Sequence, residues 1–301
     1  MGKQPDGRPV IFGEVLFDCF PDGTIAMGGA PLNIAWHLQG FGLYPLLISR
    51  LGMDDYGQSV LDKMKVWGLD VSGIQSDPNH PTGRVDIKLK NGQPEFSILD
   101  HQAYDYIDGE AAEQAVASLY TALLYHGSLA VRNTISFQAL QRLRNKFSNH
   151  IFVDINLRSP WWKRELIDDL AGGASWLKLN DVELSELSNN SGQEIDTLAK
   201  EYAKKYELEH LILTLGDKGA RLFESNEVIN GEPVAVSELI DTVGAGDAFS
   251  SVVILGVLHG WSAAATMPRA LEFASLICSV RGATLSDRAQ YRDLMKKWGA
   301  I

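Results

Sequence analysis

The residues of this chain best suited to chemistry lie in one run, residues 241–260, DTVGAGDAFSSVVILGVLHG. Gly244, Ala245 and Gly246 are small enough to let the backbone turn sharply and press its N–H groups against a ligand. The apolar stretch after them, from Ala248 to Leu258, lacks strand alternation and stops at Gly260, which predicts a buried helix. The first amides of a helix have no intrahelical acceptors and sit at the positive end of its dipole, so this start suits an anion, phosphate above all. Beside a phosphate, Asp247 either stabilises its own helix as a first-turn acid or acts as a base. The commoner phosphate motifs do not fit. The third glycine of a dinucleotide fingerprint falls on Phe249, and neither a Walker Gly-Lys-Ser/Thr string nor a kinase-type His-Arg-Asp occurs.

Other polar residues stand where an apolar run ends. Glu14 and Asp18 interrupt the strand-like residues 10–20, VIFGEVLFDCF, and suit either a solvated edge or a site. Gly28 and Gly29 turn into a helix with Pro31 at its start and Asn33 in its first turn, where the amide serves local backbone or a ligand. His37 fits the core or the surface better than a ligand. Asp154, Asn156 and Arg158 cluster at the end of the strand IFVDI; Arg158 and Arg132 suit ion pairs and ligand contacts equally. WLKLN delivers Asn180 and Glu183, either a helix cap with a first-turn acid or an Asn-x-x-Glu site. Thr214, Gly216 and Gly219 close the apolar run 211–215, beside Lys218.

GGAPLN, NDVE, TLGDKG and DTVGAGD occur in the order of, and closely resemble, the motifs of the ribokinase-like (PfkB) carbohydrate kinases. The resemblance runs over nearly the whole chain. It implies an ATP-dependent transfer to a sugar hydroxyl, with Asp247 as base and Gly244, Ala245 and Gly246 holding the phosphates. It assigns Asp18, Gly28, Gly29, Asn33 and Arg158 to the sugar, and Asn180, Thr214, Gly216 and Gly219 to the nucleotide. Glu183 is associated with Mg²⁺ and its waters, and one carboxylate suffices for an ion that keeps several waters. A monovalent cation, often K⁺, is implied near Asp241 and the loop around Gly282. Where many members carry Asn in the late helix, this chain reads Phe273-Ala274-Ser275-Leu276, a departure at the adenine pocket. GEVLFD and DINLR look most like the fructokinase branch, with ribose, 2-keto-3-deoxygluconate or a nucleoside as alternatives on the same scaffold. A sugar or nucleotide sensor without turnover has no need of Asp247 and Glu183.

The elements that must position these residues alternate. Strands are expected at 43–51, 122–129, 151–155, 176–180, 211–215, 220–223 and 227–236. Helices are expected at 57–67, 109–121, 134–147 and 263–280, and residues 69–74 read as a short extended link. Such alternation predicts an α/β fold: a mostly parallel sheet between two helix layers, the ribokinase-like αβα architecture. The alternating segments around Asn91-Gly92-Gln93, within 82–100, predict a hairpin that the resemblance makes a β lid together with residues 14–27. The second face of such a lid must be covered by substrate or by a partner subunit, so a homodimer through the lid is one of two expected arrangements.

With 301 residues, 45% of them hydrophobic, a single domain over 1–301 is expected. The net charge of −11 and the lack of a Lys/Arg stripe argue against nucleic acid or an anionic membrane as partner. Cys19 and Cys278 are isolated and the seven histidines lack metal-ligand spacing, which points to a reducing cytoplasm and away from disulfides or zinc. Residues 1–10 carry no apolar signal core, and no apolar run is long enough to span a bilayer, so a soluble protein is expected.

Overall fold

The computed structural model describes residues 7–90, 93–147, 150–188, 192–224, 227–236 and 238–301. In chain order its elements are β1 Arg8–Phe12, β2 Leu16–Cys19, β3 Ile25–Gly28, α1 Ala30–Gly40, β4 Leu46–Gly52, α2 Asp55–Trp67, β5 Ile74–Asp77, β6 Gly83–Lys90 and β7 Gln93–Ile98. Next come α3 Gly109–Val116, β8 Thr121–His126, α4 Thr134–Arg144, β9 Ile151–Asp154, α5 Arg164–Ala171, β10 Trp176–Asn180, α6 Asp181–Ser188, α7 Ile195–Lys205 and β11 His210–Thr214. The chain ends with β12 Ala220–Glu224, β13 Glu227–Gly231, α8 Ala245–His259, α9 Ala263–Cys278 and α10 Arg288–Lys297.

Among the described residues, nine strands form one sheet in the order β13-β12-β11-β10-β9-β8-β1-β4-β5. All pairs from β5 to β11 are parallel; β12 and β13 fold back antiparallel at the edge. Period-two alternation sends successive residues to opposite faces. Ile11, Phe152 and Ile212 join the core under α1, α2, α8, α9 and α10. Val10, Phe12, Leu211 and Leu213 join the core under α3, α4, α5, α6 and α7. Both faces are covered, which is why the parallel strands read as nearly continuous apolar runs.

A second sheet, β3-β2-β6-β7, stands apart. Residues 10–20, read as one strand, prove to be two strands in different sheets. Gly13, at φ +154, breaks β1 from β2, and a Cβ there would meet Pro31 Cγ at 2.4 Å. Glu14 therefore sits in a crossover and not on a solvated edge; its exposure is 5%. Other boundaries shift as well. The helix expected at 109–121 ends at Val116, the strand expected at 227–236 ends at Gly231, and the link at 69–74 leads into the edge strand β5. Asn91 and Gly92 of the expected turn lie outside the described residues.

Candidate active site

α8 begins on Gly244, at φ +80, and no side chain caps it. In contrast Asp54, Asp108, Asn133, Ser262 and Asp287 cap α2, α3, α4, α9 and α10. Among the described residues the N–H groups of Gly246 and Asp247 have no protein acceptor. The start of α8 is open to an anion. Its position is fixed from behind: a Cβ on Gly244 would lie 2.5 Å from Ala283 Cβ. The Ala283 carbonyl oxygen is 3.1 Å from His37 Nε2, and His37 Nδ1 is 2.8 Å from Tyr291 Oη. A carbonyl only accepts, so Nε2 carries the proton and Nδ1 accepts from the tyrosine. Burial pushes the His37 pKa down to about 3, and the ring stays neutral. His37 is thus a core residue that braces the helix start.

At the first turn of α8, Asn33 Nδ2 donates to Asp247 Oδ2 at 2.8 Å, joining two residues 214 apart in sequence. Asp247 Oδ1 has no protein partner among the described residues. Removal from water is the largest influence on Asp247 and pushes its pKa up to about 6. The Asn33 bond and the Lys178 and Arg158 charges pull it down, while Asp154 adds to the rise. The Gly28-Gly29 turn packs alongside. A Cβ on Gly29, at φ +107, would strike the Glu14 carbonyl oxygen at 2.7 Å, and one on Gly28 would sit 3.6 Å from Asp18 Oδ2. Asp18 is half-buried, and burial raises its pKa against the pull of Arg158. The Arg158 guanidinium is exposed and has no hydrogen-bond or ion-pair partner among the described residues. Arg132 differs: it holds Asp105 through Nε and Nη2 at 2.7 and 2.8 Å and stacks 4.1 Å over Trp161. Arg158 keeps its whole guanidinium for a ligand, whereas of Arg132 only Nη1 is left, buried and without a partner among the described residues.

Residues 20–290 match the pfkB family carbohydrate kinases. This chain belongs to that family. It is a sugar kinase, a phosphotransferase with an alcohol group as acceptor, built on the ribokinase-like fold. A rice fructokinase (Oryza sativa subsp. japonica) is 26% identical over 270 residues, covering 82% of this chain and 79% of that protein. An uncharacterized sugar kinase from Pyrococcus horikoshii, solved with ATP, superposes with a TM-score of 0.80 at 24% identity over 96% of this chain and 97% of that one. A Vibrio cholerae fructokinase variant, solved with fructose, ADP and potassium ion, gives 0.79 at 21% over 97% and 99%. At those identities the superpositions speak for the fold. Among the described residues no helix is long and apolar enough to cross a membrane.

In this pfkB kinase the remaining candidate residues lie along β10 and β11. Asn180 and Thr214 end these strands as direct neighbours. Gly216 takes φ +61 with open space beside it; Gly219 takes φ +87, and a Cβ there would meet Gly231 O at 2.1 Å. Asn180 and Glu183 form a reciprocal cap: Glu183 N–H donates to Asn180 Oδ1 at 2.8 Å, and Asn180 N–H donates to Glu183 Oε2 at 2.8 Å. Glu183 Oε1 accepts from Leu157 N–H at 2.9 Å. The carboxylate is thus held by backbone on both oxygens, and each keeps a lone pair for a water. Among the described residues no three His, Cys, Asp or Glu side chains form a metal cluster. A hydrated Mg²⁺ held mainly by substrate phosphates, with Glu183 bonding its waters, fits this donor set. Asp241 accepts from Val243 N–H at 3.0 Å and from Gly282 N–H at 3.3 Å, tying together the two loops where a monovalent cation was expected.

Two members of the cluster escape sequence reasoning. Lys178 and Ser250 both bond Asp154, which is 2% exposed. Lys178 reads as one charge in an apolar strand, and only the sheet order sets it opposite Asp154. A third, Glu14, stands out in sequence without a role. Its Oε2 is buried with no partner among the described residues, and burial raises its pKa from 4.5 to about 7. Because the buried carboxylate is disfavoured, its cost is absent below pH 4.5, grows as pH rises towards 7 and is complete above it. Glu14→Gln is expected to raise the thermal midpoint at pH 8, by up to about 3 kcal/mol of stability, and to leave it nearly unchanged at pH 4.5. Equal midpoints at pH 8 would show that this carboxylate is not strained.

Proposed function

We propose that this pfkB kinase transfers the γ-phosphoryl group of ATP to a hydroxyl of fructose, with Asp247 as the base. The observation that supports it most is the junction at the start of α8. An uncapped helix terminus for phosphate and a carboxylate oxygen without a partner among the described residues stand side by side there. Asn33 fixes Asp247 through Oδ2 and leaves Oδ1 to take the hydroxyl proton. The amides of Gly246 and Asp247, with the Gly244-Ala245 turn that aims them, stabilise the charge that develops on the transferring group. Asp18, Gly28, Gly29 and Arg158 border the sugar; Asn180, Thr214, Gly216 and Gly219 border the nucleotide. When bound, Mg²⁺ with its waters against Glu183 neutralises phosphate charge, and K⁺ near Asp241 and Gly282 orders the loop.

Fructose is favoured by GEVLFD and DINLR and by the fructokinase relatives. Ribose, 2-keto-3-deoxygluconate and nucleosides are the competing acceptors. The test is ADP release from Mg-ATP with each of these and glucose, with and without K⁺. Release strictly dependent on fructose supports the reading; release with another acceptor alone overturns the choice of sugar. A base must be deprotonated, so turnover is expected to fall as pH drops through about 6. A flat profile between pH 7 and pH 5 would exclude Asp247 from that role. The exposed Ile25 and Phe96 on the small sheet favour a dimer paired through it. The free thiols of Cys19 and Cys278 favour a cytoplasmic home.

A further inference from the structure

Beneath the first turn of α8 lies an ion pair that the phosphoryl-transfer reading leaves without a task. Lys178 Nζ donates to Asp154 Oδ1 at 2.9 Å and to Oδ2 at 2.7 Å, and Ser250 Oγ lies 2.9 Å from the same Oδ2. Lys178 and Asp154 are 7% and 2% exposed, so water screens neither charge well. The ammonium is placed against the helix start: a Cβ on Gly246 would lie 3.5 Å from Nζ. Two of its three N–H bonds are used by Asp154. A buried ion pair is a poor source of net stability, since desolvation offsets most of its attraction. Its position next to a reacting carboxylate gives it another use.

We propose that Lys178 and Asp154 are positioning residues of the reaction, a buried pair whose opposed charges set the protonation of Asp247 and steady the turn that carries it. This rests on Asp247 being the base. The groups that act most on Asp247 come from several elements: Asn33 on α1, Asp154 on β9, Lys178 on β10 and Arg158 in the loop after β9. Glu14, in the crossover after β1, and Tyr125, on β8, lie close enough to share its field. Within this set Asp154 favours the protonated base and Lys178 the ionised one. The pair is therefore a balance, and removing its two halves must move Asp247 in opposite directions.

The test is the acid limb of kcat/KM against pH in the full-length protein with Mg-ATP and its acceptor. Asp154→Asn, which keeps the side-chain shape, is expected to move the limb down by about one pH unit, and Lys178→Met to move it up by a similar amount. The double variant is expected to return close to the parent. A purely structural role lowers activity at every pH without moving the limb. Unmoved limbs, or limbs that move the same way in both single variants, overturn the proposal. Asp154→Asn alone decides the matter where Lys178→Met does not fold. Should Asp247→Asn keep both full turnover and the limb, the base assignment itself has failed. A limb that vanishes in Asp247→Asn yet stays fixed in Asp154→Asn rejects only the role of the pair.

Discussion

Asp247→Asn is expected to lower turnover by about 10²- to 10⁴-fold, the range that general-base catalysis contributes. The change is nearly isosteric, and the new amide oxygen can still accept from Asn33 Nδ2, so the helix start keeps its shape. ATP affinity is expected to hold or improve slightly, because a negative charge next to the phosphate-binding amides is gone. Stability should move against activity. Burial raises the Asp247 pKa from 3.8 to about 6, so the folded state disfavours the carboxylate above that pH and tolerates the acid below it. The variant should therefore melt no lower than the parent at pH 8 while losing its turnover. Steady-state kinetics, calorimetric ATP titration and melting curves read these three quantities. Turnover equal to the parent, or a loss of stability that tracks the loss of rate, would sink the assignment.

Gly244→Ala carries the second large effect. The backbone at φ +80 costs an L-residue about 1–2 kcal/mol by itself. The added Cβ would then lie 2.5 Å from Ala283 Cβ, 2.6 Å from its Cα and 2.8 Å from its O, and that carbonyl is held in place by His37. Strain and overlap together are expected to destabilise the fold by about 2–4 kcal/mol. Relief requires moving the start of α8, and a shift of about 1 Å between reacting groups costs turnover about 10²-fold. Gly260→Ala is the control. Gly260 takes φ +65 at the other end of α8 with nothing within 4 Å of the new Cβ, so only backbone strain is expected and turnover should persist. Equal losses of turnover in the two variants would mean that the contact with Ala283 is not what holds the phosphate loop.

Local chemistry explains which parts of this chain were legible beforehand. The turn-and-helix at DTVGAGDAF needs only small residues followed by an apolar run, and both are contiguous in sequence. The alternation of apolar strands with amphipathic helices likewise fixes the layered sheet, because each element must bury its face against a neighbour. Residues 10–20 misled because strand propensity is continuous across them. The break at Gly13 is imposed by the close approach of Pro31 from α1, which sequence order does not announce. Arg132 and Arg158 were equivalent as residue types; the acceptor Asp105 on one side and open space on the other separate them. Asn180 and Glu183 read as a cap or, in the context of the other motifs, as a metal-associated site, and the folded chain shows the cap with lone pairs left over.

The sequence by itself determined the family, the αβα plan and the residues around which catalysis was expected, since these depend on short motifs and on the period of the hydrophobic pattern. The tertiary structure alone decided which charges meet. Asn33 reaches Asp247 across 214 residues, Lys178 faces Asp154 across adjacent strands, and Glu14 Oε2 is buried without a partner among the described residues. A carboxylate's behaviour is set by its desolvation and by charges within a few ångströms, and those distances exist only once the strands have taken their order in the sheet.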